Sequence, residues 1–206
     1  MAIKNGKQGG CTLRVASSRE DFESFRKIAL DFSRFLNVDL SFQNFEEEMA
    51  GLPGCYASPN GAILIASVLT DSGPQDAGAV AVRPLPQKGK PPPQLHNGDA
   101  TAAEHSGINN DGVEVASVQE GSQGRICEMK RLYVRPEFQG MGLGRALCEE
   151  LIRISSDMGY DCMVLDTLER LESAARAYKK LGFKVIPPYY TNPHPGAVYW
   201  RKSLQN

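Results

Sequence analysis

The fold of this chain is decided by residues 129–147, which read MKRLYVRPEFQGMGLGRAL. An apolar, β-favouring run at 132–134 is stopped by Pro136, and Gly140, Gly142 and Gly144 then stand at every second position. A helical pattern follows, because apolar residues recur at the i, i+4, i+8 and i+11 spacing of one buried helix face: Leu143, Leu147, Leu151 and Ile154. The stretch therefore predicts a strand, a glycine-rich turn and a helix.

The three glycines stand where a helix begins and where backbone N–H groups lack partners within the helix. Because glycine has no Cβ, these N–H groups can close on an anion, which the helix dipole also favours. Two interpretations are open, an anion-binding cradle and an ordinary loop that leads into a helix. The spacing excludes a P-loop, which needs Gly-x-x-x-x-Gly-Lys-Ser/Thr. It also excludes a dinucleotide fingerprint, whose third Gly or Ala would fall at Arg145 or Leu147.

Composition narrows the class of protein. The chain has 206 residues, 41% of them hydrophobic, which is enough for one domain with a substantial core. The formal net charge is −1 and no dense run of Lys and Arg occurs, so we expect no nucleic acid partner. Five well-separated cysteines suit a reducing compartment. Without a signal-peptide core or about 18 consecutive apolar residues, we expect a soluble cytoplasmic protein with no membrane segment, the nucleus being an open alternative.

Apolar periodicity predicts about seven strands and four helices. The strands are expected at 12–15, 62–69, 77–82, 126–134, 162–165, 183–186 and 197–202. The helices are expected at 20–36, 42–49, 142–158 and from 168 or 169 to 181. The second and third strands read as an antiparallel hairpin. The β-α-β-α-β order at the C-terminal end indicates the α/β class, with a sheet between helices.

Two segments lack the apolar residues of a folded domain. Residues 1–10 are polar and read as a disordered leader. Residues 85–124 are rich in Pro, Gly, Asn, Asp, Ser and Gln, and such a stretch cannot bury enough surface to offset its ordering entropy. We therefore predict a single domain at 11–204, interrupted by a disordered insertion at 85–124.

Three groups of residues resemble the motifs of one enzyme superfamily. Gln139-x-x-Gly142-x-Gly144 has the Gln/Arg-x-x-Gly-x-Gly/Ala form of the coenzyme A site in GNAT superfamily acetyltransferases. Residues 132–136, LYVRP, look like the strand and exit turn of that superfamily, and residues 174–183, AARAYKKLGF, resemble its Ala-x-x-x-Tyr-x-Lys-x-Gly-Phe segment. The resemblance covers 127–204 and implies the GNAT fold. In that fold a mixed, mostly antiparallel central sheet of about seven strands is flanked by about four helices, with a β-bulge or splay at the coenzyme A site.

The resemblance implies that acetyl-CoA is the acyl donor. In these enzymes the strand that corresponds to residues 132–134 splays from its neighbour and pairs with the pantetheine arm of coenzyme A. Amides of the turn that follows this strand bind the pyrophosphate. The implied cofactor-binding residues are Leu132, Tyr133, Val134, Gln139, Gly140, Met141, Gly142, Leu143, Gly144 and Arg145. One position departs from the pattern, because Leu171 stands where many members have an Asn that helps to hold the cofactor. Cofactor contacts by that helix are therefore in question.

Two residues are candidates for proton transfer. Glu128 stands eleven residues before Gln139, where several histone acetyltransferases of the superfamily carry their basic glutamate. Such a carboxylate can take the amine's proton directly or through a water. The alternative is that Glu128 only pairs with Lys130 or another cation. Tyr178 matches the tyrosine that often acts as general acid toward the thiolate, and the alternative is core packing or contact with coenzyme A alone.

The sequence indicates less about the site for the acceptor substrate. By family layout it is built from the loop between the first two helices and the loop before the last strand. The candidate substrate-binding residues in these loops are Asp39, Tyr189, Tyr190 and Asn192. Aromatic walls with an acidic residue suit a cation or small amine. The alternative is that the two tyrosines only cover the end of the sheet.

The resemblance and the residues together predict an acetyl-CoA-dependent N-acetyltransferase that works by direct attack in a ternary complex. Its acceptor, a small-molecule amine or a protein amine, is not identified. Alternatives are a non-catalytic acyl-CoA-binding or regulatory module and an acyltransferase that uses a different acyl-CoA. Cys127, beside the site strand, keeps a covalent route open. We expect no metal, because the histidines lack ligand spacing: His96, His105 and His194.

Overall fold

The computed structural model describes residues 2–3, 10–85 and 124–205. Its strands are β1 (Ala2–Ile3), β2 (Cys11–Val15), β3 (Ala62–Thr70), β4 (Gly73–Pro84), β5 (Ile126–Val134), β6 (Cys162–Leu168), β7 (Lys184–Ile186) and β8 (Ala197–Ser203). Its helices are α1 (Arg19–Leu36), α2 (Phe45–Ala50), α3 (Leu143–Asp157) and α4 (Glu172–Lys180). Short 3-10 turns span Ser41–Gln43, Gly54–Tyr56 and Pro136–Phe138. Most of the predicted leader, 1–10, and of the predicted insertion, 85–124, lies outside the described residues.

Within the described residues the strands form one sheet in the order β1-β2-β3-β4-β5-β6-β8-β7. Neighbouring strands are antiparallel except for β5 and β6, which run parallel because α3 carries the chain back across the sheet. Seven of these strands have three or more residues, and β1 adds two. The predicted α/β class, with a mixed, mostly antiparallel sheet and four helices, is confirmed.

Each face of the sheet packs against different helices. One core gathers α3, α4 and the strand residues that face them, including Leu147, Leu151 and Leu165. The other core packs α1 against the opposite face through Phe25 and Ile28. Burying one such side chain contributes about 1.5–3 kcal/mol, so both helix layers hold firmly to the sheet. The sheet is therefore the rigid middle layer on which the site is built.

The start of α1 follows directly from local sequence. Ser18 Oγ accepts a hydrogen bond from the backbone of Asp21 at 3.1 Å, and the Asp21 carboxylate accepts one from the Ser18 backbone at 3.2 Å. This reciprocal capping box satisfies two donors that the helix leaves open. Ser18 is therefore the N-cap of α1.

Two helices begin later than predicted. The helix expected at 42–49 begins at Phe45, because Asn44 adopts a left-handed φ of 53° after the Ser41–Gln43 turn. The helix expected from 168 or 169 begins at Glu172, because β6 continues to Leu168 in its pairing with β8. In both places, tertiary pairing or turn geometry outweighs a helical pattern that is only local.

Strand β5 contains a bulge that opens the sheet. Arg131 has a φ of 60°, in the left-handed region that non-glycine residues seldom adopt. The register with β4 shifts there, between Ala79 and Ala81. On its other side β5 pairs with β6 only at 126–128, although both strands continue beyond that point. The predicted bulge and splay are thus present, and the opening beyond Glu128 is called the β5–β6 gap below.

Candidate active site

The glycine-rich turn before α3 presents a row of backbone amides. Gly140 and Gly142 both have a φ of 80°, which glycine adopts without strain. Ala146 donates a helical hydrogen bond to the Gly142 carbonyl at 3.1 Å. The amides of 143–145, which precede it, have no acceptor within the helix. Together with the helix dipole, these amides make the turn a site for an anion such as a phosphate group.

The turn is held against the end of β5. Gln139 Nε2 donates a hydrogen bond to the Val134 carbonyl at 3.0 Å. Leu143 is buried in a small core with Phe138, and Met141 packs against that core. The predicted cofactor-binding residues at 132–134 and 139–145 are therefore brought into one continuous structure at the end of the β5–β6 gap.

Two of these residues direct their side chains elsewhere. The Tyr133 ring packs against the rings of Phe32 and Phe35 on α1, with centroid separations of 5.7 and 5.6 Å. Tyr133 can therefore take part in binding a cofactor only through its backbone. The Arg145 side chain is exposed and pairs with Glu149 at 2.7 Å. Glu149 lies one turn further along α3, so this pair directs the guanidinium away from the start of the helix.

A cavity lies at the β5–β6 gap. One wall is apolar and comes from α1 and the loop that follows it: Phe32, Leu36, Val38, Leu40 and Phe42. The opposite wall comes from β5, β6 and α4 and includes Met129, Leu132, Leu165, Asp166, Leu171 and Tyr178. The loop before β8 contributes Asn192 and His194. The cavity thus joins the predicted donor side to the predicted acceptor side.

Tyr178 lies where the cavity meets the α3 core. Its ring packs against Phe183 and Trp200, with centroid separations of 5.7 and 6.1 Å. Within the described part of the chain its hydroxyl makes no hydrogen bond, although the residue lines the cavity. Burial raises the pKa of Tyr178 well above its ordinary value. The phenol therefore keeps its proton at neutral pH and can donate it.

Glu128 is buried at the start of the gap, with 3% of its side chain exposed. Its Oε2 accepts from Arg83 Nε at 2.9 Å and lies 2.8 Å from Arg83 Nη2. Its Oε1 accepts from the Tyr189 hydroxyl at 2.9 Å and faces Lys130 Nζ at 3.8 Å. The ion pairs considered as an alternative for Glu128 are therefore present. Its role as a base stays a prediction.

Asp166 is a second carboxylate at the gap, and sequence reasoning did not select it. Its Oδ1 faces Lys130 Nζ at 3.3 Å. Its Oδ2 accepts from the Tyr190 hydroxyl at 2.9 Å and from Asn192 Nδ2 at 3.3 Å. One signal could have found it, because Asp166 is the one charged residue in the apolar strand β6. A buried charge in such a strand needs partners.

The structure brings together three of the four predicted acceptor residues. Tyr189 and Tyr190 pack with ring centroids 5.3 Å apart, and Asn192 Nδ2 donates to the Tyr190 hydroxyl at 3.1 Å. Asp39 lies apart from them, because its exposed carboxylate accepts from the backbone and hydroxyl of Ser41, both at 2.8 Å. These hydrogen bonds lower the pKa of Asp39. The Asp39 carbonyl lies 2.6 Å from the ring Nε2 of His194, a residue that lines the cavity.

A buried ion pair supports the bulge. Arg131 Nη2 lies 2.8 Å from Glu48 Oε2, and the two side chains are 2% and 7% exposed. The Tyr56 hydroxyl donates to Glu48 Oε1 at 2.7 Å, and Gln43 Oε1 accepts from Arg131 at 3.0 Å. The Arg131 guanidinium also stacks 4.8 Å from the Phe45 ring centroid. Helix α2 therefore fixes the strained backbone of β5.

Glu48→Ala is expected to lower the free energy of unfolding by about 3–5 kcal/mol, because it leaves the Arg131 guanidinium buried without its counterion. Urea denaturation measures the loss. Glu47→Ala is the matched control, since Glu47 is an exposed residue of the same helix. A loss below about 1 kcal/mol for Glu48→Ala would show that water screens the pair.

The histidines do not gather at the site. His194 contacts the loop after α1, and its ring lies 5.2 Å from that of Phe42, whereas His96 and His105 lie outside the described residues. In the ranges that the structure describes, no group of three or more His, Cys, Asp or Glu side chains could hold a metal ion. No helix in those ranges is long and apolar enough to cross a membrane.

The chain is similar to known acetyltransferases. The family model described as an acetyltransferase (GNAT) domain matches residues 100–185. An uncharacterized N-acetyltransferase of Schizosaccharomyces pombe is 33% identical over 198 residues, a match that covers 96% of this chain and 98% of the relative. An uncharacterized N-acetyltransferase of Dictyostelium discoideum is 30% identical over 213 residues, covering 92% and 97%.

Solved structures agree in fold. A GNAT family acetyltransferase from Staphylococcus aureus superposes with a TM-score of 0.60 at 13% identity, covering 94% of this chain and 100% of that one. An acetyltransferase of Salmonella typhimurium, solved with its cofactor acetyl-CoA, superposes with a TM-score of 0.56 at 18% identity, covering 95% of each chain. With two relatives at 30% identity or more over nearly their whole length, the chain belongs to the GNAT N-acetyltransferases.

Proposed function

We propose that the protein transfers an acetyl group from acetyl-CoA to an amine by direct attack in a ternary complex. The observation that carries this proposal is the β5–β6 gap: Tyr178 lines its cavity, and strand β5 leads directly into the amide-lined turn at 139–145. The residues present fit coenzyme A, since open amides at a helix start suit a pyrophosphate and an unpaired strand edge suits an amide-bearing arm. A thioester at this place would supply an acyl group activated for attack by an amine.

The proposed cofactor-binding residues act in two groups. Backbone groups of 132–134 would pair with the pantetheine arm, and amides of 139–145 would bind the phosphates. The proposed proton donor to the leaving thiolate is Tyr178, whose raised pKa keeps the phenol protonated. For the proton that the amine must lose, the sequence predicts Glu128, with Tyr189 donating to it. The proposed acceptor is a small-molecule or protein amine, and the proposed location is the cytoplasm.

The state of Cys127 supports direct attack over a covalent acyl-enzyme. Cys127 is fully buried, and its Sγ donates to the Cys162 carbonyl at 3.6 Å. Burial raises the pKa of the Cys127 thiol to about 12. Because the thiolate is the nucleophilic form, a thiol with this pKa is almost wholly unreactive at neutral pH.

Cys127→Ala is accordingly expected to keep the turnover rate within about twofold, since no step of direct transfer uses the thiol. Steady-state release of free coenzyme A measures the rate. Cys55→Ala, at an exposed cysteine, is the matched control for loss of a thiol. A variant at Cys127 that binds acetyl-CoA normally and yet loses turnover would contradict direct transfer.

The function itself is tested with panels of acyl-CoA donors and amine acceptors, including small amines, amino acids and peptides with free lysines or N-termini. Thiol release that requires both acetyl-CoA and an amine supports the proposal. Thiol release that occurs with a longer acyl-CoA and an amine, but not with acetyl-CoA, would mean that the acyl donor is the longer acyl-CoA. Tight binding of acetyl-CoA without turnover on any amine would instead indicate a non-catalytic binding module.

A further inference from the structure

Building on the proposed function, we propose that Asp166 is the carboxylate that holds the acceptor as a protonated primary amine and takes its proton, and that the amine belongs to an apolar molecule. Asp166 would then act where the sequence leads one to expect Glu128. Glu128 would be a positioning residue that holds Tyr189 and Lys130 around the cavity.

The two carboxylates differ in how many donors already contact them. A carboxylate offers about four lone-pair directions to donors. Among the described residues, Arg83 occupies Oε2 of Glu128 through Nε at 2.9 Å and Nη2 at 2.8 Å. Tyr189 occupies Oε1 at 2.9 Å, and Lys130 faces the same oxygen at 3.8 Å. An incoming ammonium would have to displace one of these partners to reach Glu128.

Asp166 is less occupied. Tyr190 and Asn192 both donate to its Oδ2, at 2.9 and 3.3 Å, whereas Oδ1 meets only Lys130, at 3.3 Å, within the described residues. These three contacts leave one lone-pair direction of the carboxylate for another donor. Asp166 lines the cavity, while Glu128 is not part of its wall. The carboxylate with room for an ammonium is therefore the one that faces the cavity.

Asp166 and Tyr178 lie on opposite faces of the sheet. Along β6, Leu165 packs in the α3 core together with Tyr178. Successive side chains of a strand point to opposite faces, so Asp166 points to the α1 face of the sheet. Leu168, two residues further along the same strand, packs with the α1 core, as this alternation requires. The gap thus has a proton donor, Tyr178, on one face and a proton acceptor, Asp166, on the other.

The cavity wall beside Asp166 is apolar. On the same α1 face the cavity is lined by five apolar side chains: Phe32, Leu36, Val38, Leu40 and Phe42. A molecule with an apolar body gains about 25 cal/mol per Å² of surface that it buries there. A polyamine would bring further charges that this wall cannot pair. The class of acceptor that fits is therefore a primary amine on an aliphatic or aromatic body.

The proton balance of the step is complete. The ammonium gives one proton to Asp166, and the neutral amine attacks the thioester carbonyl, forming the N–C bond. The C–S bond then breaks, and the thiolate takes the proton of Tyr178. The nitrogen loses its second proton, which restores the phenol. Of the two protons that the nitrogen loses, one ends on the thiol and the other leaves to solvent from Asp166.

The pH dependence of this step follows from the groups around Asp166. The titratable neighbours are Lys130 and Glu128 on β5, Tyr178 on α4, Tyr189 and Tyr190 on the loop before β8, and Tyr199 on β8. Arg131 and His194 also line the cavity. Burial raises the pKa of all four phenols, so they stay uncharged below about pH 10. An alkyl amine loses its proton near pH 10, and above that pH no base is required.

The test compares Asp166→Asn with Glu128→Gln, using acetyl-CoA as the donor and 2-phenylethylamine as the acceptor. Ethylamine, a primary amine with little apolar surface, serves as the comparison acceptor. For Asp166→Asn we expect kcat/KM for the amine to fall on the order of 100-fold at about pH 7. We expect that defect to shrink as the pH rises toward 10, because the free amine becomes neutral in solution. Calorimetry should show unchanged affinity for acetyl-CoA. Asp166→Glu should restore part of the activity.

Several results would overturn this assignment. An equal loss at every pH would mean that Asp166 only balances the charge of Lys130. Full activity of Asp166→Asn, with a pH-dependent loss in Glu128→Gln, would return the role to Glu128. Equal kcat/KM for 2-phenylethylamine and ethylamine, or turnover only of amines without an apolar body, would remove the apolar class while leaving acetyl transfer in place. Absence of turnover on every amine of the wider panel would instead refute the proposed function.

Discussion

Gly142→Glu is expected to weaken acetyl-CoA binding by roughly 100-fold or more, because like charges brought together at a binding site cost several kcal/mol. Gly142 caps α3 with a φ of 80°, so any side chain there strains the backbone. A glutamate would also place a carboxylate among the amides that are proposed to hold the pyrophosphate. Isothermal titration calorimetry with acetyl-CoA measures the loss.

Two matched variants separate charge from strain. Gly142→Ala imposes the same backbone strain without the carboxylate and should lose much less affinity. Gly159→Glu places a carboxylate at a glycine with a φ of 78° beyond the opposite end of α3, and should bind normally. Unchanged affinity in Gly142→Glu would show that coenzyme A does not bind at this turn.

Tyr178→Phe is expected to lower kcat on the order of 100-fold while leaving the affinity for acetyl-CoA unchanged. The substitution removes only the hydroxyl, so the ring keeps its packing against Phe183 and Trp200. Without the phenol, the thiolate must take its proton from water. Single-turnover kinetics with saturating amine isolates the chemical step from product release.

The role of Tyr178 as proton donor also predicts how kcat depends on pH. Because burial raises the pKa of Tyr178, the donor form persists to above about pH 10, and wild-type kcat should not decline from loss of this proton between about pH 7 and 10. Tyr160→Phe is the control, since Tyr160 is a buried tyrosine whose hydroxyl donates to the Asn60 carbonyl at 2.6 Å. If Tyr178→Phe turned over like wild type, the residue would be a packing group only.

The strand, turn and helix at 129–147 could be predicted well because their determinants are local. Pro136 ends a strand, glycines at 140 and 142 permit left-handed turns, and the periodic leucines of α3 define one buried face. Each effect acts over a few residues, so the neighbouring sequence is enough to predict it. The same holds for Ser18, which caps α1 through a residue three positions away.

The contacts on the acceptor side could not be predicted from the sequence. Asp166 meets Lys130 across 36 residues and Tyr190 across 24, so nothing in the neighbouring sequence reports those contacts. Asp39, chosen for its charge, instead satisfies its carboxylate within its own turn through Ser41. Charge and loop position in the chain therefore do not show which carboxylate faces the cavity.

By itself, the sequence determined the α/β class, the strand–turn–helix at 129–147 and the family resemblance, because periodicity and backbone-specific residues act between near neighbours. The family resemblance implied a bulge and a splay, but only the tertiary structure located the splay beyond Glu128 and the bulge at Arg131. Only the tertiary structure showed that Glu48 supports this bulge and that Asp166 keeps room for a donor. These features depend on which distant side chains pack together in a low-dielectric interior, where every buried charge must find its partner.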